Sequence, residues 1–255
     1  MGAPHGARGT RASVPSTPCG RRGTPVGRRP DPTDRAVEVR YVTTSRPRFV
    51  RASYGTRVGV EHGWAPQEAD VVVVPGGGYA RRENPGVWAE IRRGTLPRAL
   101  VAAPRCGLTV AALCTGVMLL AAAGLTRGRP CTTHHTARPD LEREGGVLKN
   151  ARVVDDGDLV TAGGITSGLE LALWLVRREL GADAATGIEA MLEYEARGTV
   201  WTRTRISPVG SPASGTPLGG STGGPGWRPA RCFDPTSVLP ADRSLLVTEA
   251  VGDDP

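Results

Sequence analysis

Apolar and polar positions along the middle of the chain alternate in blocks that predict strands and helices in turn. Val37 to Val42 has the order Val-Glu-Val-Arg-Tyr-Val, the period-two pattern of a half-buried strand. Asp70 to Pro75 contains four consecutive valines, which is typical of a central parallel strand buried on both faces. Ile165 to Leu180 is rich in leucine and predicts a mostly buried helix that ends at Gly181.

The other predicted elements continue this alternation. The turn sequences Tyr54-Gly55 and Asp156-Gly157 each separate two short strands. The remaining segments are the strands Phe49–Ser53, Thr56–Glu61, Pro130–Thr133, Asn150–Val154 and Asp158–Thr161, and the helices Pro85–Arg93 and Asp183–Tyr194. Strands that alternate with helices predict an α/β fold, in which a parallel sheet is covered by helices on both faces.

Composition limits the predicted domain to about residues 37–201. The 255 residues include 35 glycines and 22 prolines. Residues 1–36 are rich in Gly, Pro, Arg and Ser, and residues 202–255 repeat that bias. Neither segment carries enough apolar surface to offset the entropy cost of ordering it, so we expect both ends to be largely disordered.

The net charge of +7 lies mostly outside this predicted domain. Arginines dominate residues 1–36, whereas basic and acidic side chains balance in residues 202–255. An arginine-rich arm can bind the phosphates of nucleic acid or an anionic surface. Biased codon usage in a GC-rich genome gives the same composition, and no aromatic side chains are interleaved with the arginines. We therefore do not predict a nucleic-acid partner.

One uncharged stretch, Gly107 to Leu125, carries the strongest chemical signal. An aliphatic run leads into Cys114-Thr115-Gly116, and a run rich in Leu, Ala and Met follows. A cysteine on the turn between a buried strand and a buried helix has its thiol near a helix N-terminus. Backbone N–H groups and the helix dipole favour the thiolate there. The stretch therefore predicts a nucleophile at Cys114.

Two other interpretations of this stretch stay open. Its length between Arg105 and Arg127 approaches that of a transmembrane helix, although Cys-Thr-Gly interrupts it. A lone cysteine in an apolar run is also commonly a buried structural residue. The order strand, Cys-x-Gly, helix favours the nucleophile over both alternatives, and we expect no association with a membrane.

Three loops that follow predicted strands should meet at one edge of the sheet. They are Gly76-Gly77-Gly78, Cys114-Thr115-Gly116 and Gly163-Gly164. In open α/β sheets, ligands bind beyond the carboxyl ends of the strands. The triple glycine lets backbone N–H groups approach a ligand closely, so it predicts an oxyanion-type site opposite the thiolate.

The other cysteines predict neither a disulfide framework nor a zinc site, because the five cysteines are odd in number and include no Cys-x-x-Cys pair. We expect no metal and no cofactor. The N-terminal segment has no continuous apolar run of the kind found in secretory signals, so the cytoplasm is the expected location.

Several of these motifs, in this order, resemble the DJ-1/PfpI family. They are VVVVPGGG, ALCTGVMLLAAAGLTRGRPCTTHH, DGDLVTAGGITSGLELALWLV and MLEYE, within about Val37 to Tyr194. The resemblance implies a flavodoxin-like parallel-sheet sandwich, the class I glutamine amidotransferase-like fold. The segments Cys-Thr-Gly and Thr-Ala-Gly-Gly-Ile-Thr-Ser-Gly are most similar to its isonitrile hydratase branch and to the ligand-binding domains of AraC-type regulators.

The resemblance also implies roles for particular residues. Cys114 would be the nucleophile, and Thr115 would position the substrate or a water. The amides of Gly77 and Thr115 would lie near the reacting centre, with Gly76 and Gly116 in the same substrate-binding site. An isonitrile would then be hydrated to an N-substituted formamide through a thioimidate on the cysteine. The family's proteases place a histidine directly after the cysteine, so Thr115 disfavours a Cys-His protease dyad.

His134 and His135 are the candidate bases. They follow the predicted strand Pro130–Thr133, where the family commonly has Thr-His-Trp. In that register His134 would face the site and contact the substrate. A hydrogen-bonded histidine at a strand end is an equally good interpretation, because sequence does not show what the ring can reach.

The chain departs from the family at its start. Family members open with a strand and a helix that carry an acidic partner for the cysteine, whereas the residues before Val37 predict neither element. Asp31 and Asp34 lie in a Pro/Arg-rich stretch, and we assign the acidic role to neither. We therefore expect the first strand-helix unit to be missing. Its central place in the sheet would then be filled by a partner or left as an exposed edge.

The tail departs as well. A full AraC-type regulator continues into two helix-turn-helix units, but nothing after Trp201 has helical periodicity. One hypothesis accounts for both ends, namely a gene model that is out of frame outside about residues 37–201. GC-rich DNA translated in the wrong frame yields Arg/Gly/Pro/Ser-rich peptide. Another frame upstream of codon 37 should then encode a strand and helix with an acid.

Three functions follow from these observations. The first is a cysteine-dependent, isonitrile hydratase-like enzyme. The second is a non-catalytic ligand-binding or regulatory domain that keeps the fold without its acid. The third is a stress-related activity, such as aldehyde detoxification or chaperone-like protection. We expect a small-molecule substrate or ligand, and the resemblance implies a homodimer.

Overall fold

The valine-rich and alternating segments form strands, and the leucine-rich segments form helices. The computed structural model describes residues 37–52, 55–80, 82, 86–203 and 243–248. The strands are β1 (Val37–Thr43), β2 (Arg48–Arg51), β3 (Arg57–Val60), β4 (His62–Gly63), β5 (Val71–Val74), β6 (Thr109–Leu113), β7 (Pro130–Cys131), β8 (Val147–Leu148), β9 (Val153–Asp155), β10 (Leu159–Ala162), β11 (Val200–Thr202) and β12 (Arg243–Thr248). The helices are α1 (Val87–Arg93), α2 (Thr95–Ala102), α3 (Val117–Ala122), α4 (Arg138–Arg143), α5 (Ser167–Leu180) and α6 (Ala182–Leu192).

The main sheet is mostly parallel, as the alternating pattern predicts. Within the described residues its strand order is β11-β9-β10-β6-β5-β12-β1-β4. β10, β6, β5, β12 and β1 run parallel, whereas β9 pairs antiparallel with β10. The predicted hairpins form as β2–β3 and β9–β10.

Helices cover both faces of this sheet because its central strands are apolar on both sides. On one face, Val72 and Val74 of β5 belong to a core cluster that includes Leu100 of α2 and Leu119 of α3. On the other face, Val71 belongs to a second cluster, which includes side chains of α5. The predicted sandwich is thereby confirmed.

Helix α2 differs from the predicted elements, whereas the stretch around Cys114 agrees with them. The sequence did not predict helix α2. Pro97 is compatible with this helix because it stands in the first turn, where a missing N–H is tolerated. Gly94, with a φ of 72°, separates it from α1. The uncharged stretch around Cys114 divides into the strand β6 and the short helix α3. Among the described residues, no helix is long and apolar enough to cross a membrane.

The central place in the sheet, which we expected to be filled by a partner or left as an exposed edge, is filled by β12 of the same chain. This strand runs parallel to β1 on one side and to β5 on the other, so that Leu245 lies opposite both Val39 and Val71. The tail that composition predicts to be largely disordered therefore contributes one strand. Its Leu-Leu-Val run is too short to change the average composition of the Gly/Pro-rich tail, yet it buries Leu246 in the core. Residues 1–36, 204–242 and 249–255 lie outside the described residues.

If β12 is part of the folded sheet, shortening Leu246 should destabilise the whole domain. Leu246 is 2% exposed, and removing a buried leucine side chain to alanine typically costs about 2–5 kcal/mol. We expect Leu246→Ala to lower the free energy of unfolding by this amount in urea denaturation. Leu192→Ala, on the exposed face of α6, is the control and should change it by less than about 0.5 kcal/mol. Equal stability of the two variants would show that β12 does not pair in solution.

Candidate active site

Cys114 lies on the turn between the buried strand β6 and the buried helix α3, where the sequence predicts it. A single 3-10 turn, Cys114–Gly116, joins the two elements. The φ angle of Cys114 is 54°, a left-handed conformation that costs a residue with a side chain about 1–3 kcal/mol. Its side chain is half-buried. A strained, partly accessible thiol on a strand-to-helix turn has the geometry of a nucleophile elbow.

Two glycines let the end of β5 approach this turn closely. A Cβ atom on Gly76 would lie 2.7 Å from the Thr115 amide nitrogen and 2.9 Å from the Cys114 Cβ. A Cβ atom on Gly116 would collide with the carbonyl oxygen of Pro75. The structure thus places Gly76 and Gly116 in direct contact across the cysteine turn, where only glycine leaves enough space.

Thr115 ties the triple-glycine loop to the cysteine turn. The Gly77 N–H donates a hydrogen bond to the Thr115 Oγ1 over 2.9 Å. Thr115 is 5% exposed, so this bond is shielded from water. The amide of Gly77, which the resemblance places near the reacting centre, is therefore engaged by the Thr115 hydroxyl. The predicted loop and the predicted turn do lie together, and a side chain joins them.

The backbone of Cys114 is held from two other loops. Its N–H donates to the carbonyl oxygen of Gly163 over 2.9 Å, which brings the third predicted loop to the site. Its carbonyl oxygen accepts a hydrogen bond of 2.8 Å from the Thr133 hydroxyl. These two bonds fix both peptide groups of the strained residue. Neither depends on the thiol, which is left available for chemistry.

His134 lies beside the same loops. Its ring packs against Gly164, where a Cβ atom would lie 3.1 Å from the ring Nε2. Its Nδ1 accepts a hydrogen bond from the Thr136 N–H over 3.3 Å. Nδ1 is also 2.9 Å from the Thr136 hydroxyl. Nδ1 is thus an acceptor, so the neutral ring carries its proton on Nε2. Within the described residues, no hydrogen bond joins Cys114 to His134.

Burial lowers the pKa of His134, and the positive charges of His135 and Arg138 lower it further. The ring centroids of His134 and His135 are 4.2 Å apart, so two adjacent protonated imidazoles would repel each other. His134 is therefore neutral at pH 7. A neutral ring can accept or donate a proton during a reaction. Its hydrogen bonds to Thr136 fit equally well the hydrogen-bonded histidine at a strand end.

The other two described cysteines have different surroundings. Cys106 is exposed, and Cys131 is buried. Burial raises the pKa of the Cys131 thiol to about 12, so that this thiol stays protonated and unreactive. No cluster of three or more His, Cys, Asp or Glu side chains that could hold a metal ion occurs in the part of the chain that the structure describes.

Sequence reasoning missed two residues of this region. Thr133 holds the Cys114 carbonyl, and only its place directly before His134 could have indicated it. Ile165 follows Gly164 with a φ of 37°, a conformation that is strained for a β-branched residue. Its side chain is 78% exposed. The sequence Gly-Gly-Ile marks a turn but does not predict an exposed, strained apolar side chain.

Comparison with known proteins places this arrangement in a family. The sequence model of the DJ-1/PfpI family matches residues 33–178, more than half of the chain. An isonitrile hydratase from Pseudomonas putida is 42% identical over 85 residues, which are 33% of this chain and 37% of that relative. The Parkinson disease protein 7 homolog of Danio rerio is 32% identical over 128 residues, which are 48% of this chain and 62% of that relative. The matched region thus spans less than two thirds of either relative.

Solved structures show the same fold. A ThiJ/PfpI family protein from Pseudomonas syringae aligns with a TM-score of 0.52 at 21% identity, over 63% of this chain and 76% of that chain. Schizosaccharomyces pombe DJ-1 aligns with a TM-score of 0.50 at 18% identity, over 59% of this chain and 80% of that chain. At these identities the likeness concerns the fold alone, and it confirms the flavodoxin-like sandwich.

A methyl group at residue 76 should displace the cysteine turn. Gly76→Ala places its Cβ less than 3.0 Å from two atoms of that turn, so the backbone must shift. We expect this variant to differ from the wild type in the rate at which iodoacetamide alkylates Cys114, measured by peptide mass spectrometry. Gly63→Ala is the control, because nothing lies within 4 Å of a Cβ there. An alkylation rate as in the wild type would show that the close approach does not hold the turn.

The lowered pKa of His134 makes the domain less stable in acid. The unfolded chain binds the imidazole proton near pH 6.5, whereas the folded chain binds it only at lower pH. Stability therefore falls as the pH drops through 6.5 towards the lower pKa of the folded state. NMR titration of the His134 ring should give a midpoint below 6.5. In His135→Gln the midpoint should rise, because one positive neighbour is gone. A midpoint at or above 6.5 in the wild type would contradict the proposed surroundings.

Proposed function

This chain belongs to the DJ-1/PfpI family, and on that premise we propose that it is a cysteine-dependent enzyme that hydrates isonitriles. The observation that supports the proposal is the strained turn at Cys114, packed against Gly76 and tied to Gly77 through Thr115. The identity of 42% to the isonitrile hydratase of Pseudomonas putida supports this substrate class.

The proposed reaction begins with attack of the Cys114 thiolate on the terminal carbon of an isonitrile. A carbon–sulfur bond forms, and that carbon takes up a proton, which gives a thioimidate. Water then adds to the same carbon, and the carbon–sulfur bond breaks. The products are an N-substituted formamide and the free thiol, so that one water is consumed for each isonitrile.

Backbone groups supply the polar contacts in this proposal. The amides of Thr115 and Gly116 stand at the start of the 3-10 turn, where a helix has no internal acceptors for its N–H groups. We propose that the Thr115 N–H donates a hydrogen bond to the oxygen that the attacking water adds to the thioimidate carbon. The Thr115 side chain holds Gly77, so it acts by positioning the loop.

His134 is the proton carrier in the proposed reaction. It is neutral at pH 7 and presents its Nε2 edge towards Gly164, next to the loop that bonds the Cys114 amide. Because no hydrogen bond joins His134 to Cys114 within the described residues, we place its action on the attacking water. The small-molecule substrate and a homodimer belong to the same proposal.

The acidic partner has two sets of candidates, all outside the described residues. Asp31 and Asp34 precede β1 in a Pro/Arg-rich stretch. Glu249 follows Thr248, the last residue of β12, and β12 lies between β1 and β5. The resemblance implies an acid on a strand-helix unit whose strand lies in the centre of the sheet. We therefore infer that Glu249 is the first carboxylate to test for this role.

A non-catalytic ligand-binding domain is the second candidate function. One observation favours it: no carboxylate of the described residues makes a hydrogen bond to Cys114. Without a proton source close to the thiol, the isonitrile carbon would receive no proton, and the Cys114 sulfur would not form the thioimidate. Ligand binding without turnover would then be the only activity of the site.

Formamide production from a simple alkyl isonitrile separates these functions. We expect the wild type to turn over and Cys114→Ala to lose at least about three orders of magnitude in kcat/KM, because the nucleophile is gone. Cys106→Ala, which removes an exposed thiol, should keep the wild-type rate. Turnover by Cys114→Ala, or none by the wild type, would rule out the proposed mechanism.

The same assay tests the acid. Glu249→Gln should slow turnover and leave the thermal unfolding of the domain unchanged, whereas Asp253→Asn serves as the matched carboxylate control. A wild-type rate in Glu249→Gln would rule out Glu249 as the acidic partner without contradicting the proposed role of Cys114.

A further inference from the structure

The triple-glycine loop has no side chain of its own with which to hold its place beside the cysteine turn. Gly77 and Gly78 have φ angles of 139° and 65°, which glycine adopts readily but does not enforce. The Gly77 N–H donates to the Thr115 hydroxyl over 2.9 Å, and its carbonyl oxygen accepts from the Val87 N–H over 2.9 Å. The first side chain after the glycines, Tyr79, is the next point at which the loop can be fixed.

Tyr79 attaches this loop to helix α4. Its side chain is 6% exposed and belongs to the core cluster that contains Leu119 of α3. The Tyr79 hydroxyl donates a hydrogen bond of 2.6 Å to the Oδ2 of Asp140, which lies in the first turn of α4. A bond from a hydroxyl to a carboxylate is shorter and stronger than one between neutral groups. Burial of the ring keeps water from competing for it.

Three further contacts close a ring of side chains around this bond. The Arg82 guanidinium lies 3.3 Å from the same Asp140 oxygen and 4.8 Å from the ring centroid of Trp88 in α1. The Trp88 ring meets the Tyr79 ring edge to face, with centroids 5.8 Å apart. Arg143 binds the other Asp140 oxygen. Arg82 and Arg143 are exposed, and exposed ion pairs contribute little, so the Tyr79 bond is the strong member of the ring.

Helix α4 directly continues the segment that carries His134. The 3-10 turn His135–Ala137 follows His134, and α4 begins at the next residue. The Ala137 N–H donates to the His134 carbonyl oxygen over 2.9 Å. Ala137 is fully buried in the same core cluster as Tyr79. A continuous turn and helix therefore connect His134 to Asp140.

We propose that Tyr79 is a positioning residue, whose hydrogen bond to Asp140 holds the triple-glycine loop and His134 in a fixed relation around the Cys114 turn. In the proposed hydration, Cys114 attacks the isonitrile and His134 acts on the water, so both must keep their places during one turnover. The kinetic consequence rests on the proposed function. The effect of the bond on the loop does not, because it can be measured without an isonitrile.

Tyr79→Phe tests the role in turnover, because it removes the hydroxyl and leaves the ring in place. Its matched control is Tyr194→Phe, since the Tyr194 hydroxyl also donates to a carboxylate, that of Glu170, over 2.8 Å. With an alkyl isonitrile, Tyr79→Phe should lower kcat about tenfold, as for one lost hydrogen bond. KM should change by less than about twofold, because the bond aligns reacting groups rather than binding the substrate. Tyr194→Phe should keep the wild-type values.

Hydrogen exchange of the Gly77 amide tests the same bond without any substrate. This N–H donates to the buried Thr115 hydroxyl, so it exchanges only when the loop opens. In Tyr79→Phe it should exchange about tenfold faster, as for one lost hydrogen bond. The Val110 N–H, bound to the Asp158 carbonyl in the middle of the sheet, should keep its rate. A role limited to global stability would accelerate both amides alike.

The titration of His134 tests whether the bond reaches the other side of the site. Tyr79→Phe changes no charge near pH 6.5, because burial raises the pKa of the Tyr79 phenol and keeps it neutral there. Burial is also what lowers the pKa of His134. If its segment loosens, the NMR midpoint should rise towards 6.5. Tyr194→Phe should leave the midpoint unchanged.

Two substitutions of Asp140 separate the hydrogen bond from the ion pairs. Asp140→Asn keeps an oxygen that can accept the Tyr79 hydroxyl but loses the charge that pairs with Arg82 and Arg143. Asp140→Leu keeps neither. We expect Asp140→Asn to retain nearly the wild-type kcat and Asp140→Leu to be as slow as Tyr79→Phe. The double variant Tyr79→Phe/Asp140→Leu leaves no buried hydroxyl unpaired. It should be no slower than either single variant, because both remove the same bond.

Three results would overturn the proposal. One is an unchanged Gly77 exchange rate or an unchanged His134 midpoint in Tyr79→Phe, since the bond would not then link the two. Another is equal acceleration of the Gly77 and Val110 amides. The third is an Asp140→Asn variant as slow as Asp140→Leu beside a Tyr79→Phe variant at the wild-type rate, which would assign the effect to the ion pairs. An inactive wild type would contradict the proposed function alone, and exchange and titration would still decide whether Tyr79 holds the loop.

Discussion

The pairing of β5 on both of its edges is the constraint on which the fold and the candidate site depend. Val71, Val72 and Val74 are all buried, so water cannot satisfy the backbone groups of this strand. β6 pairs with one edge and β12 with the other. The carboxyl end of the same strand leads into Gly76, which packs against the Cys114 turn. The strand β5 therefore both joins the two halves of the sheet and shapes the candidate site.

The strain at Cys114 persists because three loops hold it. A left-handed cysteine costs about 1–3 kcal/mol, and a single hydrogen bond contributes only about 1 kcal/mol. Three hydrogen bonds hold the Cys114 turn. The Cys114 N–H donates to the Gly163 carbonyl, and the Thr133 hydroxyl donates to the Cys114 carbonyl. The third runs from the Gly77 N–H to the Thr115 hydroxyl. All are made by backbone groups or by short hydroxyl side chains, which lose little conformational entropy on ordering. The thiol takes part in none of them and remains free to react.

Local patterns predicted most of this arrangement. The four valines of β5, the aliphatic run before Cys114 and the leucine-rich α5 each identify their element without knowledge of the rest of the chain. The three loops then follow from one rule about the carboxyl ends of parallel strands. The place of His134 beside these loops was implied only by the register of the family resemblance, because β7, the strand before it, belongs to a separate two-stranded sheet.

Contacts between distant residues could not be predicted in the same way. Thr133 and Cys114 are 19 residues apart, and a side chain meets a backbone carbonyl there. The pairing of Asp70 with Ser244 spans 174 residues. β12 is six residues long within a segment whose composition favours disorder. Its Leu-Leu-Val core forms a strand through its pairing with β1 and β5.

The origin of β12 changes where an acid for the cysteine can be sought. The resemblance implies an acid on a unit that begins with the central strand, and in this chain the central strand, β12, comes from the other end of the sequence. β12 runs parallel to β5 and β6, so its Thr248 end lies at the edge of the sheet where Gly76 and Cys114 lie. In the sequence, Glu249 follows Thr248. The order of the strands in the sheet, rather than their order along the chain, therefore decides which part of the sequence supplies the central strand.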